Sequence, residues 1–324
     1  MPKSERNLIQ RIRRQAGAGA SPRGRSPVIA GIGDDAAVLR LAPGQDVLVT
    51  TDFSIENVHF KRDWHPPEAV GWRCLTRGLS DIAAMGGQPR AAFLSLAVPG
   101  DISQVWVDRF LKGLLALAAK FNVPLAGGDT AQAVDGIQAD MVVLGSVPKR
   151  TAVLRSGARP GDHIYVTGQL GSSAAVLARL RASLPLGADS ARHFRPQARL
   201  LVGQWLRAHK IPSAMIDISD GLSTDLHHIC EESGVGAEIE ADAIPRPRSG
   251  RAKVASVALE FALHGGDDYE LLFTSSKPVP SRVEGVPVTR IGQTTRKKGM
   301  RLIVARGQEQ RLEPKGWQHF QKKS

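Results

Sequence analysis

Apolar positions recur at two periods along this chain, and the switches between them outline a mixed α/β protein. Over 66–87 (PPEAVGWRCLTRGLSDIAAMGG), Leu75, Leu79 and Ile82 share one helical face. The prolines suit the first turn and Gly86 suits the stop. Residues 102–122 predict a second, long amphipathic helix. Residues 4–15 predict a first one, with Ser4 as its cap and Leu8, Ile9 and Ile12 on one face. Short apolar runs at 46–52, 91–99 and 141–147 predict buried strands.

The stretch 148–162 (PKRTAVLRSGARPGD) is polar, basic and broken by Gly and Pro, which predicts a boundary between domains 1–148 and 149–324. Beyond it, 163–180 reads as strand, glycine turn and helix. Residues 214–234 repeat that order around an acidic turn, with Leu222, Leu226 and Ile229 on one face and Gly234 as the stop. The run 267–274 (DDYELLFT) predicts a further strand. Strands and helices mix in both halves, so the fold class is α/β or α+β.

Composition narrows the function classes. At 324 residues and 42% hydrophobic content the chain has enough apolar surface for two cored domains. No apolar run approaches the ~18 residues that cross a bilayer. Two cysteines, Cys74 and Cys230, lie on apolar helix faces without a CxxC, which excludes a cysteine zinc site and suits the cytoplasm. The net charge is +12, yet aromatics are 5% and no helix clusters base-reading residues, so a nucleic-acid partner is not expected.

Against that basic background the aspartates gather in Gly/Ser/Thr settings: Asp34 and Asp35 in GIGDD, Asp52 in TTDF, Asp81 in LSDIAAMGG, Asp129 in AGGDT, Asp217 and Asp220 in DISDG, and Asp267 and Asp268 in GGDDYE. One aspartate per turn is ordinary capping chemistry. Adjacent pairs, and an aspartate inside a helix, are not. Carboxylates crowded together take up protons or share cations. Oxygen donors without a Cys or His cluster select Mg²⁺ or Mn²⁺ over zinc, and Mg²⁺ commonly bridges substrate phosphates. An EF-hand fails on spacing, since Leu222 stands at its glycine position and His228 at its glutamate position. No GxxxxGK[ST] and no kinase HRD or DFG is present, so any phosphate chemistry is carried by aspartate-held metal and not by a lysine loop. The pairs Gly127-Gly128 and Gly265-Gly266 would let backbone approach such a ligand.

The motifs GIGDDAAV, TTDFSIENVHF, LSDIAAMGG, GGDT, RSGARPGD, VTGQLGSSAA, IDISDGLSTDL and GGDDYELLFT, in this order, resemble the thiamine-monophosphate kinase family. That family lies within the aminoimidazole ribonucleotide synthetase-like superfamily. The resemblance runs from the first helix to the last residues, where PKGWQHF also fits. It implies a two-domain fold whose N-terminal mixed sheet forms a barrel across a homodimer, with ATP in a cleft between the domains. The implied reaction is direct, in-line transfer from ATP to thiamine monophosphate, giving thiamine diphosphate and ADP. Several Mg²⁺ ions assist, with a monovalent cation as a further candidate.

Matched motif by motif, the resemblance implies metal ligation at Asp35, Thr50, Thr51, Asp52, Asp81, Asp129, Asp217 and Asp220. Of these, Asp35, Asp52, Asp129 and Asp217 are the catalytic set, and Asp34 orients its loop. Gly128, Asp129, Arg155 and Ser219 match ATP contacts; His59, Asp267 and Trp317 match substrate contacts. Two positions depart from the family pattern. Asp267 stands where Glu is usual, and Gly78 where Asn is frequent. The competing expectations are an ATP-dependent synthetase of the same superfamily, which would ignore thiamine monophosphate, and a nucleic-acid-binding protein.

Overall fold

The computed structural model describes residues 5–18, 28–30, 38–187, 190–247, 257–304 and 307–318. The chain divides into two compact units: Met1–Ile82 with Gly87–Arg150, and Ala83–Gly86 with Thr151–Ser324.

The first unit carries helices α1 (Glu5–Ala18), α2 (Pro67–Ala84) and α3 (Gln104–Lys120). A small pair, β1 (Val28–Ala30) and β2 (Val38–Leu39), is antiparallel. The main sheet contains β3 (Gln45–Ile55), β4 (Gln88–Val98), β5 (Leu125–Gln132) and β6 (Gln138–Pro148), in the order β3-β6-β4-β5. Only β4 and β5 run parallel, and α3 makes the crossover between them that parallel strands require. Leu75, Leu79 and Ile82 of α2 and Phe110, Leu111, Leu114 and Leu117 of α3 are all buried. The two helices touch backbone to backbone: a Cβ at Gly113 would lie 1.9 Å from the Glu68 carbonyl oxygen. Ser103 caps α3 by accepting from Trp106 N–H at 3.2 Å, worth about 1 kcal/mol. Gly86, at φ +68°, ends α2: Gly86 N–H donates to Ala83 O and Gly87 N–H to Ile82 O, the paired bonds of a left-handed stop.

The second unit is built on one mixed sheet. Its strands are β7 (His163–Thr167), β8 (Ala214–Asp217), β9 (Gly236–Glu240), β10 (Leu271–Ser275), β11 (Arg282–Val283), β12 (Val286–Thr295), β13 (Gly299–Val304) and β14 (Gln308–Arg311). Their order is β14-β13-β9-β12-β7-β10-β8, with β11 paired to β12. Helices α4 (Ser172–Arg181), α5 (Ala191–Phe194), α6 (Leu200–Ala208), α7 (Leu222–Ser233) and α8 (Leu259–His264) complete it. Its core joins Ile164 and Val166 of β7, Ile216 of β8, Leu222, Leu226 and Ile229 of α7 and Leu272 of β10. Each such side chain contributes about 1.5–3 kcal/mol by leaving water.

The strand expected over 267–274 begins only at Leu271. Asp267 (φ +65°) and Tyr269 (φ +52°) occupy the left-handed region, which no strand tolerates. Among the described residues, no helix is long and apolar enough to cross a membrane.

Candidate active site

In the first unit, β3 presents Thr50, Thr51 and Asp52, and α2 presents Arg77 and Asp81. Thr50 Oγ1 donates to Asp81 Oδ2. Thr51 Oγ1 donates to Asp140 Oδ1 at 2.8 Å. Burial, then the charges of Asp81 and Asp140, push the Asp52 carboxyl up to about 7, against a partial pull downward from Arg77. Asp52 Oδ2 is buried without a hydrogen-bond partner. A buried acceptor left over beside two more carboxylates is a place where a proton or a cation can be taken up.

Asp129 stands apart from this group. The register places Asp140, Ser95 and Asp129 opposite one another across β6, β4 and β5. The exposed Asp129 carboxylate accepts from Thr130 N–H at 2.8 Å. His59 closes the turn after β3. Its Nδ1 accepts from Ile55 N–H at 2.9 Å, which puts the proton of the neutral ring on Nε2. Gly78 faces Val143, where a Cβ would lie 2.6 Å from a valine methyl and 3.5 Å from the Thr50 methyl. Packing against β6 therefore accounts for glycine at this position. Asp34 and Asp35 lie outside the described residues.

In the second unit, Asp217 ends β8 and Ser219, Asp220 and Gly221 form the turn into α7. Asp225, in the first turn of α7, reaches back: its Oδ2 accepts from Gly221 N–H at 3.0 Å and Asp220 N–H at 3.2 Å. Burial, then Asp217 and Asp220, raise the Asp225 carboxyl well above the usual carboxylate range. Arg155 is brought to the same helix. Its carbonyl accepts from Ser233 Oγ at 3.0 Å, and its charge, after burial, helps lower the neighbouring His228.

Two distant segments are stitched to this turn. Asp267 N–H donates to Ser219 O at 2.8 Å and Tyr269 N–H to Ile218 O at 2.9 Å. Trp317 N–H donates to Asp220 O at 3.0 Å, leaving an indole that is 45% exposed. Asp217, Ser219, Asp220, Asp267 and Trp317 thus converge from three parts of the chain. Glycine at 266 admits this contact, since a Cβ there would meet the Ser219 oxygen at 2.5 Å. The glycine before Asp129 has a similar origin: a Cβ at Gly128 would fall 1.8 Å from Leu94 O. Both glycines admit neighbouring protein backbone.

Among the described residues, no group of three or more His, Cys, Asp or Glu side chains is arranged to hold a metal ion by itself. The donors present nevertheless fit a hard cation. They are oxygen-only, two clusters carry carboxyls raised by burial and then by like charge, and Asp52 retains an oxygen without a partner. A cation with so few protein ligands takes the remainder from water and phosphate oxygens. Asp140, Arg77 and Asp225 were missed by motif reading. Asp225 carries a local signal, an acidic residue four positions after the turn glycine; Asp140 carries none.

Two family models cover most of the chain: AIR synthase related protein, N-terminal domain, over 33–147, and AIR synthase related protein, C-terminal domain, over 159–305. Fold and site together define a two-domain α/β protein of the AIR synthase-like class. The thiamine-monophosphate kinase of Salmonella typhimurium is 38% identical over 309 residues, which is 91% of this chain and 93% of that protein. The crystal structure of thiamine-monophosphate kinase from Stenotrophomonas maltophilia K279a superposes with a TM-score of 0.80 at 33% identity, over 93% of this chain and 96% of that one. A further solved structure, AaThiL complexed with AMPPCP and TMP, has a TM-score of 0.75 at 32% identity and covers 98% and 97%. This chain belongs to the thiamine-monophosphate kinase family.

Proposed function

We propose that this chain transfers the γ-phosphoryl group of ATP to thiamine monophosphate. A phosphate oxygen of the substrate forms a new P–O bond to Pγ as the bond to the β,γ-bridging oxygen breaks, releasing ADP. Support comes from the relatives and from the complex of AaThiL with AMPPCP and TMP, in which a member of the family meets both an ATP analogue and TMP. The observation that carries the reading is the convergence of Asp217, Ser219 and Asp220 with Asp267 and Trp317, alongside the orphaned oxygen of Asp52.

The chemistry asks little of a general base, because the attacking phosphate oxygen is already ionised. Asp35, Thr50, Thr51, Asp52, Asp81, Asp129, Asp217 and Asp220 would hold Mg²⁺. When bound, Mg²⁺ would neutralise two phosphate groups that otherwise repel. Gly128, Asp129, Arg155 and Ser219 position the nucleotide. His59 and Asp267 hold the thiamine moiety, and Trp317 offers a π face to its cationic ring. Residues 1–148 serve ATP, metal and dimerisation, and 149–324 complete the site. Exposed Val47, Val49 and Phe53 at alternate positions of the edge strand β3 support a homodimer built on this sheet. Two buried, unpaired thiols support a cytoplasmic setting.

The test is a direct product assay with ATP, Mg²⁺ and thiamine monophosphate. Stoichiometric thiamine diphosphate and ADP, abolished by a chelator, are expected. ADP without thiamine diphosphate would replace this reading with that of an ATP-dependent synthetase.

A further inference from the structure

The segment 267–270 sets three carboxylates, Asp267, Asp268 and Glu270, on one cleft and buries Tyr269. Asp268 is partly buried, and its carboxylate accepts from Gly171 N–H at 2.7 Å at the start of α4. Glu270 accepts from Thr167 Oγ1 and from Arg199 Nε, both at 2.6 Å. Tyr269 is 1% exposed, and its hydroxyl donates to Asp267 Oδ1 at 2.6 Å. Asp267 alone of the four is a substrate contact in the reading above. It lines a cleft of about 170 Å³ within the second unit, together with Gln169, Ser172, Arg192 and Gln197. Ser172, also on that cleft, is 4% exposed and its hydroxyl has no partner, so the cleft keeps a buried polar group unspent.

The backbone here is held in an unfavourable form to make this arrangement. A left-handed aspartate is tolerated, but a left-handed tyrosine is uncommon and persists only where its surroundings over-determine it. The bonds of 267 and 269 to Ser219 and Ile218 supply that constraint. With φ positive at both 267 and 269, the tyrosine two residues on reaches the aspartate carboxylate.

We propose that Tyr269 is a positioning residue, whose hydroxyl fixes the rotamer of Asp267 toward the thiamine moiety in this cleft. This rests on the function proposed above. The ring fills core space and the hydroxyl sets specificity, so the two roles separate in Tyr269→Phe. That variant keeps its fold and its KM for ATP. Its KM for thiamine monophosphate rises about tenfold, as expected for one lost hydrogen bond to a charged group, with kcat little changed.

Calorimetric binding of thiamine monophosphate beside a non-hydrolysable ATP analogue gives the same readout without turnover. Asp267→Asn weakens that binding, and adding Tyr269→Phe to it costs little more, because the hydroxyl acts through Asp267. Weakened binding in Tyr269→Phe without catalysis by the parent protein would uphold the positioning role and sink the kinase reading. Unchanged binding in Tyr269→Phe, or full additivity of the two substitutions, would overturn the positioning role while the kinase reading stands.

Discussion

The two units hold their carboxylates in opposite ways. In the first, Asp52, Asp81 and Asp140 come from two strands and a helix. Their hydroxyl donors are the side chains of Thr50 and Thr51, and one oxygen of Asp52 is unmet. In the second, Asp225 is met by backbone N–H groups of the turn that carries Asp217 and Asp220. The first cluster therefore crowds like charges around a buried carboxyl that is pushed up to about 7. The second uses one buried carboxylate as part of its scaffold. Crowded aspartates look alike as motifs, yet removing one should relieve strain in the first unit and break a loop in the second.

Asp52→Asn tests this most sharply. Activity should fall by about 10³-fold or more, since an amide replaces an ionised ligand oxygen. The metal-free variant should nevertheless melt higher than the parent, because like-charge repulsion is gone. The sign with pH follows. The Asp52 carboxyl is raised from 3.8 to about 7, so between those values the folded state holds more protons than the unfolded one, and stability falls as pH rises through that window. The melting difference between variant and parent should grow from pH 4 to pH 7 and then level off. A variant less stable than the parent at pH 8 without metal would end the comparison.

Asp225→Ala should act in the other direction. Two backbone donors lose their acceptor in a buried turn, which costs about 2–4 kcal/mol by chemical denaturation and loosens the Asp217–Asp220 loop. Asp225→Asn keeps an acceptor oxygen and should recover more than half of that loss. Equal damage from both would mean that the charge, and not the acceptor, matters here.

The smallest expected effect concerns a feature the units share. Cys74 of α2 and Cys230 of α7 are both buried, and burial pushes each thiol up to about 12. Neither should react with a thiol reagent at pH 8 in the native protein, and both should react in denaturant. Rapid labelling of one alone would show that its unit opens more readily than the other.

Much was legible before the fold was known. Helical spacing of Leu75, Leu79 and Ile82 places α2 within a few residues of its observed limits, because an amphipathic helix with proline at one end and glycine at the other is specified locally. The aspartate motifs were legible as short local strings, although Asp52 and Asp129 fall inside strands and Asp81 inside α2. Asp140 was not. It reads as an ordinary polar position in a strand and meets Thr51 only through the β3–β6 register. The loop 267–270 was misread as strand because its composition is strand-like. Bonds to Ser219 and Ile218, nearly fifty residues earlier, hold it in a left-handed form instead. The close approaches of Gly78 to Val143 and of Gly128 to Leu94 likewise carry no signal in one dimension. Local chemistry, carried by neighbours along the chain, was determined by sequence alone. Which carboxylate is buried beside another, which is braced by backbone and which is aimed by a tyrosine was decided by tertiary structure, because those energies depend on distance in space.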